Sequence, residues 1–142
     1  MGCDIHMHIE VLTENGWELY SRPHVSRNYD FFAKLADVRN YNNEIIPLSD
    51  PKGLPEDVSY LVRKAYEHWE GDVHSISYIT GQEIIDLCEW LQEMKPFGMG
   101  NDLEHHIFHT YLEGDSFAGF YKYPDDRPSW IKDIRFVFWF DN

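Results

Sequence analysis

Residues 3–11 alternate strictly between apolar and polar side chains, which is the periodicity of a β-strand with two unlike faces. One face must pack against a core, so a sheet becomes the centre of the fold. The other face consists of acids and histidines alone, which indicates a row that coordinates a ligand or carries protons. The alternative is a polar face that is only solvated or hydrogen-bonded. The apolar face carries Cys3, Ile5, Met7, Ile9 and Val11, and the polar face carries Asp4, His6, His8 and Glu10.

Two further strands are predicted. The Asn15-Gly16 turn signal, followed by renewed alternation, predicts a β-hairpin over residues 3–21. Residues 133–142 are so rich in β-branched and aromatic side chains that they predict a well-buried strand, away from any edge of the sheet. If this strand pairs antiparallel with the first, Asp141 comes beside Asp4 and His6.

Four helices are predicted from apolar spacing and capping residues. The first follows Ser26 or Asn28 and ends near residue 40, and the second begins near Pro55. A capping box of Thr80 and Glu83 opens the third, and the fourth covers about 101–112, while residues 117–128 read as a loop or ragged hairpin. The sequence therefore predicts an α+β fold: a small, mostly antiparallel sheet with about four helices on one face and the Asp/His/Glu row on the other.

Size and charge limit the partners. The 142 residues have the common size of one domain, and we expect a single domain over 1–142. The net charge of −13 leaves no basic surplus to release counterions, so no nucleic-acid partner is expected. No apolar run approaches the length of a membrane span and no signal peptide is apparent, so a cytoplasmic protein without a membrane partner is expected. The aromatic fraction of 16% makes a homo-oligomer a further expectation.

The polar row of the first strand is the leading candidate site. Side chains two apart on a strand point the same way and lie roughly 6.5 to 7 Å apart, so His6 and His8 can converge on one ion. We expect a divalent metal, Zn or Mn, with Asp4, His6, His8 and His74 as ligands. Glu10 is the candidate general base.

A second Asp-x-His pair, Asp72 and His74, repeats the order of Asp4 and His6. If its segment lies near the hairpin, it would complete a set of His and carboxylate ligands, with Asp72 orienting or ligating. The alternative is a partly buried structural histidine bonded to Asp72, since His74 shares strand parity with Ile76 and Tyr78.

Two other patterns are less specific. His105 and His109 stand i,i+4 on one predicted helix face, but no glutamate lies between them as in a metalloprotease, and exposed histidines are the simpler interpretation. Arg27, Arg39 and Asn40 are candidates for holding an anionic substrate, with helix capping as the alternative for the asparagines.

Nucleophile motifs are absent from the sequence pattern. Ser75 and Ser77 adjoin His74, but adjacency in sequence is not the geometry of a triad, and no Gly-x-Ser-x-Gly elbow is present. The sequence also lacks a P-loop and a dinucleotide-binding fingerprint.

Five stretches occur in a distinctive order: Gly2-Cys3-Asp4-Ile5-His6, then Arg27-Asn28-Tyr29 with Phe32-Ala33 and Leu35-Ala36-Asp37-Val38-Arg39-Asn40, then Gly53-Leu54-Pro55 with Asp57 and Ser59, then Asp72-Val73-His74-Ser75, and finally Phe138-Trp139-Phe140-Asp141-Asn142. Together they resemble a family of small uncharacterised proteins of bacteriophages and prophages. That family has no assigned activity. The resemblance implies a phage or prophage origin and action in the cytoplasm of the bacterial host, without implying a reaction.

Two classes of function follow from these patterns. The first is a metal-dependent hydrolase acting on a nucleotide or another phosphate-bearing small molecule. The second is a non-enzymatic binding protein, either a sponge for a nucleotide signal or an acidic antagonist of a host defence protein. The expected partner is accordingly a small-molecule anion or a host protein.

Overall fold

The computed structural model describes residues 2–69, 71–94 and 117–142. Within these ranges the chain forms four strands, four α-helices and two short 3-10 turns. In chain order the elements are β1 (Asp4–Thr13), β2 (Gly16–Ser21), α1 (Tyr29–Ala36), a 3-10 turn (Tyr41–Asn43), α2 (Tyr60–Trp69), β3 (His74–Thr80), α3 (Gln82–Met94), α4 (Phe117–Lys122), a 3-10 turn (Pro124–Asp126) and β4 (Asp133–Asp141).

The four strands form one antiparallel sheet in the order β2-β1-β4-β3. The predicted hairpin is confirmed, and Gly16 has the positive φ that its turn requires. The predicted pairing of the first and last strands is also confirmed, with Asp4 opposite Asp141 and His6 opposite Trp139. Since β4 lies between β1 and β3, its dense apolar sequence is kept away from both edges of the sheet.

The first face of the sheet holds the larger core. Odd-numbered residues of β1 and even-numbered residues of β4 point to it, because directly opposed residues of antiparallel strands share a face. Helices α1, α3 and α4 cover this face and bury its aromatic side chains. The fully buried members include Phe31, Phe32, Ile84, Leu87, Phe117, Phe136, Phe138 and Phe140.

The second face is covered as well, by α2, which corrects the expectation that helices lie on one face only. Val62 of α2 and Val58 before it pack on Val137 and Trp139 of β4. This packing removes Val137 and Trp139 from water, where their apolar surfaces would be unfavourable. The polar row of β1 therefore lies beside a second, smaller core, and half of it is buried.

Helix positions differ from the sequence prediction in several places. Asn28 caps α1 as predicted, its Oδ1 accepting from Phe31 N at 3.1 Å, but the helix ends at Ala36 because Asp37 turns left-handed with φ 60°. Helix α2 starts at Tyr60, later than predicted. Residues 117–122 form α4, where a loop or ragged hairpin was predicted. The predicted helix over 101–112, with His105 and His109, lies outside the described residues.

Candidate functional site

His6 forms the best-defined polar contact of the row. Its Nε2 lies 2.9 Å from Asp141 Oδ2, and its ring packs on Trp69 with centroids 4.5 Å apart. The strand register brings the two side chains together. Asp141 is opposite Asp4, and Asp4 is the neighbour of His6 on the same face of β1. With Nε2 donating to Asp141, the neutral ring presents Nδ1 as a proton acceptor. The pair is therefore equipped for proton transfer.

Asp4 is engaged by Arg27. The guanidinium binds both carboxylate oxygens, with Nε to Oδ1 at 2.7 Å and Nη2 to Oδ2 at 3.0 Å. Arg27 consequently holds the pKa of Asp4 below its ordinary value. Both side chains are about half exposed, so the ion pair adds little stability. It does determine which of the two neighbouring carboxylates, Asp4 or Asp141, is available to His6. Arg27 neutralises Asp4, and Asp141 is left to His6.

His8 is buried and kept neutral. It is only 4% exposed and stacks on Trp139 with ring centroids 4.5 Å apart. Burial lowers the pKa of His8 to about 4, an effect that the backbone of Val137 only partly offsets. Its Nδ1 is buried without a hydrogen-bond partner. A buried polar atom with no partner is rare in folded proteins, and this nitrogen is also closed off from solvent.

A cavity of about 300 Å³ opens beside His6 and His8, and we call it the His6 pocket. It lies where β2 has ended, so the first half of β1 is flanked by the segment after β2 instead of by a strand. That segment contributes Arg22 and His24, both exposed, and α2 contributes Trp69. Three histidines and an arginine thus line one pocket of a protein whose net charge is −13.

Glu10 is placed as a structural carboxylate. It is completely buried, with Oε1 accepting from Arg135 Nε at 2.6 Å and Oε2 from Ser59 N at 2.7 Å. Arg135 in turn donates to Asp57 Oδ1 at 2.8 Å and lies over the ring of Trp17. Both oxygens of Glu10 are occupied, so this geometry favours anchoring over the predicted role of general base.

His74 lies on the opposite face of the sheet from His6 and His8. It pairs with Phe140, whereas Ser77 pairs with Phe138, so three residue steps on β3 match two on β4. This β-bulge reverses the parity of His74, whose ring stacks on Phe140. Its nitrogens contact Ser75 Oγ at 3.0 Å and Asn142 Oδ1 at 3.2 Å, while Asp72 is exposed in the preceding turn. The structure therefore does not bring His74 to the row.

Two predicted binding residues, Asn40 and Arg39, differ in role: Asn40 holds a loop together, whereas Arg39 remains available to a ligand. Asn40 fastens a loop, since its amide bonds Asp37 Oδ1 and both backbone groups of Ile45. Arg39 contacts the Tyr41 hydroxyl and Asn142 Oδ1 and lies over the ring of Tyr29. No carboxylate within the described part of the chain pairs with Arg39, so its charge stays open to an anion.

The predicted metal ligands do not fit a preformed centre. Residues 2–69, 71–94 and 117–142 contain no group of three or more His, Cys, Asp or Glu side chains suited to a metal ion. Asp4 is bound by Arg27, His6 by Asp141, and His74 is on the other face. Of the four predicted ligands only His6 and His8 share a pocket, and two ligands are fewer than a stable zinc site uses.

A larger cavity, of about 450 Å³, lies at the hairpin turn. It is lined by Thr13, Glu14, Asn15, Glu18, Ser129, Trp130 and Lys132. None of the predicted site residues borders it, and it contains no histidine. The His6 pocket is smaller but holds the histidines and two of the predicted site residues, so it is the candidate site.

Sequence reasoning missed Arg22, His24 and the Ser75 contact. Pro23 cannot donate to a strand ladder and so predicts the end of β2, but no pattern in the sequence shows that Arg22 and His24 then lie beside the first half of β1. No sequence signal marks the bulge that joins Ser75 to His74.

Comparisons with protein-family models, curated proteins and solved structures find no match. None of the helices in the described ranges combines the length and apolar character needed to cross a membrane.

Proposed function

We propose that the protein is a hydrolase for a small phosphate-bearing molecule, which it binds in the His6 pocket. The contact between His6 Nε2 and Asp141 Oδ2, at 2.9 Å on the wall of a cavity, carries this proposal. A histidine oriented by a carboxylate is the common form of a general base in hydrolases. The volume of about 300 Å³ suits a small ligand.

The charges around the pocket favour an anion. Arg22 is exposed on the rim and offers the planar fork that binds phosphate oxygens in pairs. His24 adds a second donor when protonated. His8 is kept neutral by its burial, so it adds no charge to the pocket wall. A phosphate ester carrying further polar groups, such as a nucleotide, matches this set.

The chemical step is phosphate-ester hydrolysis. Water attacks phosphorus, and His6 Nδ1 takes one proton from the water as the new P–O bond forms. The bond to the leaving oxygen breaks and that oxygen takes a proton from solvent, while His6 returns its own proton to solvent, so the products are a phosphate and an alcohol. Asp141 stabilises the imidazolium that His6 becomes during the step.

Hydrolysis by His6 can be tested on a panel of phosphomonoesters, phosphodiesters and nucleotides. His6→Gln should lower kcat/KM roughly a hundredfold, since a general base typically contributes that much or more. Asp141→Asn should lower it as well, because the amide orients the ring without stabilising its charge. Asp86→Asn, on the exposed surface of α3, is the matched control and should leave the rate unchanged. If no ester is hydrolysed by the wild type, or His6→Gln retains the full rate, the hydrolase proposal is wrong.

Binding without turnover is the second candidate function, favoured by the exposed Arg22 and His24 that line the pocket. In a thermal-shift panel of nucleotides, a ligand should raise Tm and Arg22→Gln should reduce that shift, while Arg63→Gln on exposed α2 should not. Ligands that bind and stay intact would identify a nucleotide sponge. Absence of any shift would count against both candidates.

Metal dependence is a separate expectation, tested on protein purified without chelator. Stoichiometric Zn or Mn that is lost in His6→Ala with His8→Ala would support a metal at this pocket. Repeated preparations free of such metal would remove it from the proposal. The resemblance to phage and prophage proteins supports placing the activity in the cytoplasm of an infected bacterium.

A further inference from the structure

Ser75, His74 and Asn142 form a continuous hydrogen-bonded chain at the start of β3. Ser75 Oγ lies 3.0 Å from His74 Nδ1, and His74 Nε2 lies 3.2 Å from Asn142 Oδ1. Ser75 and His74 are half-buried, so a reagent can reach them from solvent. This is the order nucleophile, base and orienting group that hydrolases with a catalytic serine use.

The direction of each hydrogen bond follows from Asn142. Its Oδ1 can only accept, and Arg39 Nη2 also donates to it, at 3.4 Å. His74 Nε2 must therefore carry the proton, and Nδ1 is left as the acceptor for the Ser75 hydroxyl. Asn142 thus fixes the tautomer in which His74 is a base for Ser75.

The backbone at Ser75 is strained. Its φ is 54°, in the left-handed region that serine rarely adopts, and it falls within the β-bulge between His74 and Ser77. Strained backbone at a reactive serine also defines the nucleophile elbow of α/β-hydrolases. Here the strain turns the serine out of the strand and onto the histidine that precedes it.

We propose that Ser75 is a nucleophile toward carboxylic esters, with His74 as its base and Asn142 as a positioning residue. Ser75 Oγ attacks the ester carbonyl carbon and His74 Nδ1 takes its proton. The ester C–O bond then breaks, and the alcohol leaves with that proton. Water, deprotonated by His74, attacks the acyl-serine and releases the carboxylic acid and free Ser75. Arg39, which contacts Asn142 and has no carboxylate partner in the described ranges, directs the preference toward esters with an anionic group.

This site is independent of the His6 pocket. His74 is opposite Phe140 and stacks on its ring on the first face of the sheet, whereas His6 and Asp141 lie on the second. Substitutions at Ser75 should therefore leave phosphate-ester hydrolysis unchanged, and the two proposals can fail separately.

The test is covalent labelling of the intact protein by an aryl fluorophosphonate, followed by mass spectrometry. The wild-type protein should gain one phosphonyl group as the reagent loses its fluoride, and peptide mapping should locate that group on Ser75. Ser75→Gly should gain none, and it should fold at least as well, because glycine accepts a φ of 54° without strain. Ser26→Gly, at an exposed serine, is the matched control and should label as wild type.

Aryl-ester turnover separates the roles of the partners. His74→Gln should lower the acylation rate roughly a hundredfold. Asn142→Ala should also lower the acylation rate and alter its pH profile. Asn142→Asp should keep the rate near that of the wild type, since a carboxylate fixes the same tautomer of His74. An aryl ester of a dicarboxylic acid should react faster than the acetate, and Arg39→Gln should remove that preference. Wild-type protein that is neither labelled nor acylated, or labelling that persists in Ser75→Gly, would overturn the proposal.

Discussion

His8 and Glu10 are two residues apart on β1 and point to the same face, but burial affects them in different ways. Glu10 has an arginine and a backbone amide as partners, and their hydrogen bonds replace the hydration that its side chain loses on burial. His8 has an aromatic ring against it, and an ionised imidazole there would lose its hydration with little in return. The neighbouring residues, and not the sequence pattern, decide how each member of the row is accommodated in the interior.

The lowered pKa of His8 predicts a loss of stability in mild acid. In the unfolded chain His8 takes up a proton as the pH falls through about 6.5, whereas in the folded protein it resists protonation until about 4. The unfolded state therefore binds more protons between these values, and the free energy of unfolding falls by up to roughly 3 kcal/mol over that range. Urea unfolding at about pH 7 and about pH 4.5 measures this.

His8→Phe is the control for this prediction, because it keeps a ring on Trp139 but cannot titrate. Carboxylates elsewhere contribute equally to both proteins, so the His8 part is the difference between them. Equal losses in wild type and His8→Phe would contradict the prediction.

At the scale of elements, Arg135 links three segments. It lies on β4, bonds Glu10 on β1, and reaches Asp57 in the approach to α2, while Glu10 also accepts from Ser59 in that approach. The buried pair therefore attaches α2 to the sheet. The same contact that removes Glu10 from solvent also positions the helix that carries Trp69 into the His6 pocket.

Glu10→Gln and Asp57→Asn should differ sharply in stability. Glu10→Gln leaves the Arg135 charge buried without its main partner and should cost about 3 to 5 kcal/mol. Asp57 is mostly exposed, so Asp57→Asn should cost at most about 1 kcal/mol. Urea unfolding of both variants at neutral pH measures the contrast. Equal losses of unfolding free energy would show that the buried Glu10–Arg135 pair stabilises the fold no more than the exposed Asp57–Arg135 pair.

At the scale of the molecule, the sheet is covered on both faces and its two middle strands have neighbours on both sides. β1 and β4 should therefore contain the slowest-exchanging amide protons, and the edge strands β2 and β3 faster ones. Native-state hydrogen exchange followed by NMR measures this. Slowest exchange in β2 or β3 would contradict the prediction.

Part of the candidate site could be predicted from the sequence. The common face of His6 and His8 follows from strict alternation, and the approach of Asp141 follows from pairing the first and last strands. Arg22 and His24 could not be selected as pocket residues, because their position depends on where β2 stops. The arrangement of Ser75 and His74 could not be predicted either, because it depends on one extra residue in β3.

Local features of the chain were enough to predict the hairpin, the apolar face of β1 and the interior position of β4, because periodicity and turn chemistry act between near neighbours. The folded structure was needed to show that α2 covers the second face, that Glu10 contacts Arg135, and that His74 points away from His6. Those outcomes depend on contacts between distant segments and on a bulge that reverses side-chain parity, and no local pattern encodes either.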